Sequence, residues 1–218
     1  MIGFVGRKMD QATSEQTLLR LIDAIVNDDA MLFSKFLAES SALATASFSH
    51  GATRQDPSPS PYFIKELTHY IYVGDTALHF AASAYRQTMT HKLIKAGANV
   101  RAKNRRSSEP LHYAAVGNPG SPAWDPEAQA ATIVCLIEAG ADPNSQNMDG
   151  ATPLHRAVRT RCAGAVKALL THGADPAIRN KSGSTAMQLA LHTTGRGGSG
   201  SSQAKAQQHE ILRLLEDR

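Results

Sequence analysis

One short segment recurs along the chain at a spacing that leaves few folds open. Residues 150–157 read Gly-Ala-Thr-Pro-Leu-His-Arg-Ala, and versions of it stand at residues 74–82 (Gly-Asp-Thr-Ala-Leu-His-Phe-Ala-Ala), 107–115 (Ser-Ser-Glu-Pro-Leu-His-Tyr-Ala-Ala) and 183–190 (Gly-Ser-Thr-Ala-Met-Gln-Leu-Ala). Thr76, Glu109, Thr152 and Thr185 follow one another at 33, 43 and 33 positions. The segment is a helix start. Thr152 can cap a first-turn N–H through its hydroxyl, and Pro153 brings a preset φ and no N–H to leave unpaired. Leu154 then faces a core, and the small Ala157 lets a neighbouring helix come close. A second helix follows over residues 165–170, ended by Gly173 where a left-handed residue is wanted. Asp175, Pro176 and Asn180 supply turn chemistry before the next copy begins. The second helices end alike, in Lys-Ala-Gly-Ala-Asn at 95–99, Glu-Ala-Gly-Ala-Asp at 138–142 and Thr-His-Gly-Ala-Asp at 171–175.

Two markers in one register point to stacked helix pairs, none of which can bury its apolar face alone. The unit resembles the ankyrin repeat, with its Thr-Pro-Leu-His start on the first of two antiparallel helices. That resemblance implies an all-α solenoid of about five stacked helix pairs joined by short β-hairpin fingers. The expected plan is a loose N-terminus over 1–13 and a repeat domain over 14–218. Within it fall an N-terminal capping pair (14–40), an insert (41–73), a repeat (74–106), a repeat with insert 117–126 (107–149), a repeat (150–182) and a C-terminal capping repeat with insert 195–204 (183–218). Leu18, Leu19, Leu21, Ile22, Ile25 and Val26 carry the helical period of the capping pair. Pro57, Pro59 and Pro61 mark an exposed loop within the first insert, and residues 62–70 read as a short helix. Glu109 in place of Thr, Ser107 in place of Gly, and Arg161 where Gly is expected between helices are the points at which a finger is expected to shift or a helix to tilt.

Across the 218 residues no apolar run is long enough to span a bilayer. Residues 1–11 lack the apolar core of an export signal. Cys135 and Cys162 form no metal or redox spacing. A reduced cytoplasm is the expected location, and a monomer without cofactor the expected state. Net charge +4 and a pI near 9.2 permit anionic partners without requiring them.

His79, His112 and His155 hold the repeat's own His position, where the resemblance implies hydrogen bonding to adjacent finger backbone. One repeat apart, they are expected about 10 Å from one another, too far to share a metal ion. The glycine-rich stretch 195–202 lacks the Gly-Lys-Ser/Thr ending of a phosphate loop and reads as a flexible insert. Arg101, Lys103, Arg105 and Arg106 form the densest basic cluster, with Arg156, Arg159, Arg161 and Lys181 expected nearby. It reads as a solvated positive face, or as an anion-selecting surface.

The resemblance further implies a non-enzymatic protein-binding module whose partner lies on the concave face of finger tips and first helices. Carried over by position, that face comprises Tyr72, Val73, Asp75, Arg105, Arg106, Ser108, Tyr113, Met148, Asp149, Arg156, Arg159 and Lys181, with Tyr72, Tyr113 and Met148 as anchors rimmed by arginines. An acidic protein segment is the partner this charge suits. The alternative is nucleic-acid or other anion binding by the basic fingers. Trp124, in the 117–126 insert, reads as buried against the stack or as a second, edge site.

Overall fold

The computed structural model describes residues 11–53, 62–121, 124–192 and 202–217. Its helices pair off in chain order: α1 (Gln11–Val26) with α2 (Ala30–Glu39), α3 (Ala77–Ser83) with α4 (Gln87–Lys95), and α5 (Pro110–Ala114) with α6 (Pro126–Glu138). Then come α7 (Pro153–Arg159) with α8 (Ala163–Thr171), and α9 (Ala186–Leu191) with α10 (Ser202–Glu216). First helices pack on first helices, α1 on α3, α3 on α5, α5 on α7 and α7 on α9, while α4, α6, α8 and α10 form a second row. The result is an all-α solenoid. One continuous core runs between the rows, from Leu21 and Phe33 through Leu78, Leu93, Leu111, Ile133 and Leu154 to Leu169 and Ile211.

Thr76, Thr152 and Thr185 cap α3, α7 and α9 in extended conformation, and Glu109 takes the same place before α5 with φ −97° and ψ 164°. Within three pairs the chain turns through left-handed backbone at Asp28, Tyr85 and Arg161, with φ of 58°, 56° and 59°. A buried Arg161 therefore takes the left-handed conformation expected of a glycine between α7 and α8. Ser107, at φ 54°, likewise takes the turn position held by Gly74, Gly150 and Gly183. The fingers do not shift. Asn104 N–H donates to Ser108 O at 3.1 Å, as Asn147 donates to Ala151 at 3.1 Å and Asn180 to Ser184 at 3.0 Å.

Other expectations are corrected. The first helix begins at Gln11, ahead of residue 14, because its leading Gln, Ala and Thr contain no helix breaker while the apolar period that announces it starts only at Leu18. Residues 62–70 are not a helix but a small antiparallel hairpin, β1 (Phe63–Ile64) paired with β2 (His69–Tyr70). It turns through Thr68 at φ 50° and stacks Phe63 on Tyr70 with ring centres 4.8 Å apart. The prolines at 57, 59 and 61 and the glycine-rich residues 195–200 lie outside the described residues.

The described part of the first insert is no free loop either. Phe48 N–H donates to Asp75 O at 2.9 Å, Gly74 N–H to Phe48 O at 2.8 Å, and Ala52 N–H to Ile71 O at 2.8 Å. Residues 48–52 thus pair along residues 71–75, in the place where a preceding finger would stand. Gly51 permits the approach: a Cβ there would lie 2.7 Å from Val73 N.

Fingers also touch directly, which gives the turn glycines Gly74 and Gly150 a different duty from the helix-ending ones. At Gly150, φ is +69° and a Cβ would lie 2.8 Å from the Lys181 nitrogen, whereas at Gly140, φ is +98° and nothing lies within 4 Å. Left-handed backbone alone costs an L-residue roughly 1–2 kcal/mol. Gly150→Ala is therefore expected to lower stability by at least about 1 kcal/mol more than Gly140→Ala, measured by urea unfolding.

Candidate functional site

Each finger tip is built by one asparagine. Asn104 Oδ1 accepts from Arg106 N at 2.9 Å and Ser108 N at 3.0 Å, Asn147 Oδ1 from Asp149 N at 2.9 Å and Ala151 N at 3.0 Å, and Asn180 Oδ1 from Ser182 N and Ser184 N, both at 3.0 Å. Such side-chain turns leave the two residues after the asparagine at the tip. Those residues are Arg105 and Arg106, Met148 and Asp149, Lys181 and Ser182. Neighbouring tips are tied by single backbone bonds: Arg105 N to Val73 O at 2.7 Å, Met148 N to Arg106 O at 2.8 Å, and Lys181 N to Asp149 O at 3.0 Å. Their side chains consequently stand in one row.

Within that row Arg105 and Arg106 lie over the Tyr72 ring, 5.1 and 5.8 Å from its centre, and Arg106 Nη2 also meets Asp149 Oδ2 at 3.2 Å. Cation–π stacking of this kind is worth about 0.5–1 kcal/mol at exposed sites and holds flexible arginines in place. Val73 is 37% and Met148 52% exposed; Arg105, Asp149, Arg159 and Lys181 are exposed as well.

Three residues carried over to this face belong to the interior instead. Tyr113 is 1% exposed, and Asp75 and Ser108 are buried. The cause is the insert. On α3 and α5 the residue after the repeat histidine is Phe80 and Tyr113; Phe48 meets Phe80 edge-on at 6.5 Å, and His69 of β2 packs on Tyr113 at 4.5 Å. Beneath them Asp75 accepts from Tyr72 N at 2.7 Å, Asn104 Nδ2 at 2.9 Å and Tyr113 Oη at 2.8 Å. Burial raises the Asp75 pKa, while His79 and these donors oppose the rise. The corresponding residue on α7, Arg156, is part-buried and sends Nη2 to Ser108 Oγ at 3.3 Å.

The basic cluster divides in two. Arg101 Nη2 pairs with Asp142 at 3.3 Å, and Arg101 Nε and Lys103 Nζ approach the buried Glu109 carboxylate at 3.9 and 3.7 Å. Only Arg105 and Arg106 of the four stand in the finger-tip row. Arg161, expected nearby on the surface, is buried. Trp124 packs against the core with Nε1 donating to Gln129 Oε1 at 3.0 Å, and Gln129 Nε2 reaches Ala114 O at 2.9 Å.

The repeat histidines act as clamps. Nδ1 of His79, His112 and His155 accepts from the N–H of Thr76, Glu109 and Thr152 at 3.1, 3.1 and 3.2 Å. Nε2 then meets the carbonyl of the next finger, Ser108, Ala151 or Ser184, at 3.1, 3.1 and 3.0 Å. An imidazole accepting at one nitrogen and donating at the other is neutral. Burial first, and for His112 also the Arg156 charge, lowers these pKa values, that of His112 to about 3. Burial, then Arg156 and His79, brings His69 to about 4. Sequence reasoning did not single out His69, Asn104 or Asn147, although asparagine recurs in one register at 104, 147 and 180 and was there to be seen. Among the described residues no group of His, Cys, Asp or Glu could hold a metal ion, and no helix is long and apolar enough to cross a membrane.

Comparison with known proteins agrees with this architecture. A family model described as ankyrin repeats (many copies) matches residues 136–190, and a single ankyrin repeat model matches residues 73–105. The chain is 41% identical over 93 residues, 41% of its length, to E3 ubiquitin-protein ligase KEG of Arabidopsis thaliana. It is also 41% identical over 71 residues, 32% of its length, to Rabankyrin-5 of Mus musculus. It spans only 5% and 6% of the lengths of these two relatives.

Because burial depresses the folded-state pKa values, the clamps stabilise fully above the unfolded value near 6.5 and lose that contribution as pH falls below it, for His112 down toward about 3. Stability to urea is expected to fall between pH 7 and pH 4.5. In His112→Gln the amide can accept at the cap, as Gln188 Oε1 accepts from Thr185 N at 2.9 Å, without titrating. That variant is expected to lose about 1–3 kcal/mol less over the same interval.

Proposed function

We propose that this chain, an ankyrin-repeat protein, is a non-enzymatic module that binds another protein through its finger-tip row and the open part of its first-helix face. The observation that carries the reading is the row itself. Val73, Arg105, Arg106, Met148, Asp149 and Lys181 stand on tips linked backbone to backbone, so little conformational freedom is left to lose when a partner arrives. Tyr72, Met148 and the arginines supply the residue types that anchor interfaces. Ankyrin repeats serve generally as protein-interaction modules, and Rabankyrin-5 and the KEG ligase each match part of this chain within a far larger protein.

An acidic segment suits the tips better than an apolar one. Arg105 is exposed with its guanidinium over Tyr72, at a place where a carboxylate can bind it bidentately. The finger arginines also favour a second reading, contact with the phosphate backbone of a nucleic acid. Salt separates the two, because phosphate contacts give a steep linear loss of log affinity with log salt and an anchored protein interface does not.

A photo-crosslinking residue at Met148 is expected to capture a protein partner in the native host, while the same residue at Lys167 on α8, in the second helix row, captures none. Arg105→Glu with Arg106→Glu is expected to cut that capture at least tenfold with the circular dichroism spectrum unchanged. Equal capture from 148 and 167 would overturn the reading.

A further inference from the structure

The insert covers the first-helix face over α3 and α5 and stops there. In the register position after the repeat histidine, Phe80 lies under Phe48 and Tyr113 under His69, so Arg156 on α7 is the first such residue past the edge of the covered stretch. Its Nη2 bonds Ser108 Oγ at 3.3 Å, which holds the guanidinium against the finger that carries Arg106. Arg159, three residues on along α7, projects from the same side of that helix. Arg156 is thus set beside Arg159 on its own helix and against the finger of Arg106; burial first disfavours its charge, and the Arg159 and Arg106 charges act in the same direction. Tyr113 and Asp149 oppose. The same positive field helps to keep His69 and His112 neutral. The other nearby carboxylate, Asp75, is engaged by Tyr72 N, Asn104 and Tyr113.

Like charges gathered at a part-buried place raise the energy of the free protein, and an anion relieves it. The charge balance says which anion. Three arginines set against Asp149, which is bound to Arg106 at 3.2 Å, leave about two positive charges, and a phosphate monoester carries about −1.5 to −2 near neutral pH. A single carboxylate would leave a guanidinium uncompensated.

We infer that Arg106, Arg156 and Arg159 form a receiving site for a phosphorylated serine or threonine side chain of the protein partner. The planar forks of the guanidiniums match pairs of phosphate oxygens. This inference rests on the first-helix face being the partner surface and adds the chemical group that the partner brings to it.

The test is a titration of the full chain with N-acetyl-O-phosphoserine methylamide and, separately, with N-acetyl-glutamate methylamide at constant ionic strength, following the arginine Nε–Hε resonances. Saturable shifts of Arg156 and Arg159 with the phosphoserine probe are expected, at least tenfold weaker with the glutamate probe. Arg159→Gln, at an exposed position, is expected to weaken phosphoserine binding at least fivefold, and Arg156→Gln to abolish it. Asp149→Asn, which removes the competing carboxylate, is expected to tighten it severalfold. Equal response to both probes, no saturable shift, or undiminished binding in Arg159→Gln would overturn the inference. So would a short DNA duplex that shifts the same resonances as strongly per phosphate. Capture from position 148 that persists while phosphoserine fails to bind would end this inference alone and leave the partner surface standing.

Discussion

The structure depends on a neutral imidazole that holds two backbone groups belonging to different repeats. In His79, His112 and His155 one ring nitrogen closes the start of its own helix, and the other fastens the finger of the next repeat. A helix start leaves N–H groups without partners, and a finger leaves carbonyls in the same condition. One residue satisfies both, and in doing so it fixes how far apart successive units sit. The finger-to-finger bonds at Val73, Arg106 and Asp149 then follow from that spacing, because tips held at one interval all come within hydrogen-bonding reach of each other. At the end of the stack Gln188 keeps the half of the arrangement that caps its own helix.

The insert changes what the inner face can offer. Pairing of residues 48–52 along 71–75, with the β1–β2 hairpin beyond, places Phe48 and His69 on aromatic rings that would otherwise face solvent. Covering Phe80 and Tyr113 stabilises this end of the stack by roughly 1.5–3 kcal/mol per side chain. It also removes them from the exposed surface. Accessible side chains are left at the rim, in Tyr72, Val73 and Met148, and the uncovered first-helix face begins at Arg156.

Charge is organised in two layers. Below, Asp75 and Glu109 are carboxylates inside the protein, the first accepting from three donors and the second beside Lys103 and Arg101. Above, Arg105 lies over Tyr72, and Arg106, bound to Asp149, stands with Arg156 and Arg159. An isolated buried charge is costly, so Asp75 is tolerated because Tyr72, Asn104 and Tyr113 converge on it. Glu109 is harder to account for: it stands where the other repeats have threonine and lies 3.7 and 3.9 Å from its two cations.

Periodicity determined the helix pairs, their order and most of the core, because Leu78, Leu111 and Leu154 recur in register with their caps and such a pattern is local to each unit. The histidine positions and the finger turns were legible for the same reason. Local patterns do not say what one part of the chain lays over another. Nothing in the residues around Tyr113 told that His69, 44 positions earlier, packs on it, and so an apparent surface anchor proved to be interior. The strand-like run at 62–73 was equally opaque, since its pairing partners supply the bonds that make it extended rather than helical. What the sequence by itself determined was the repeating scaffold, whose interactions join neighbours along the chain. Only the tertiary structure decided which of its faces stays open, because that depends on where an irregular insert finds partners for its backbone and its rings.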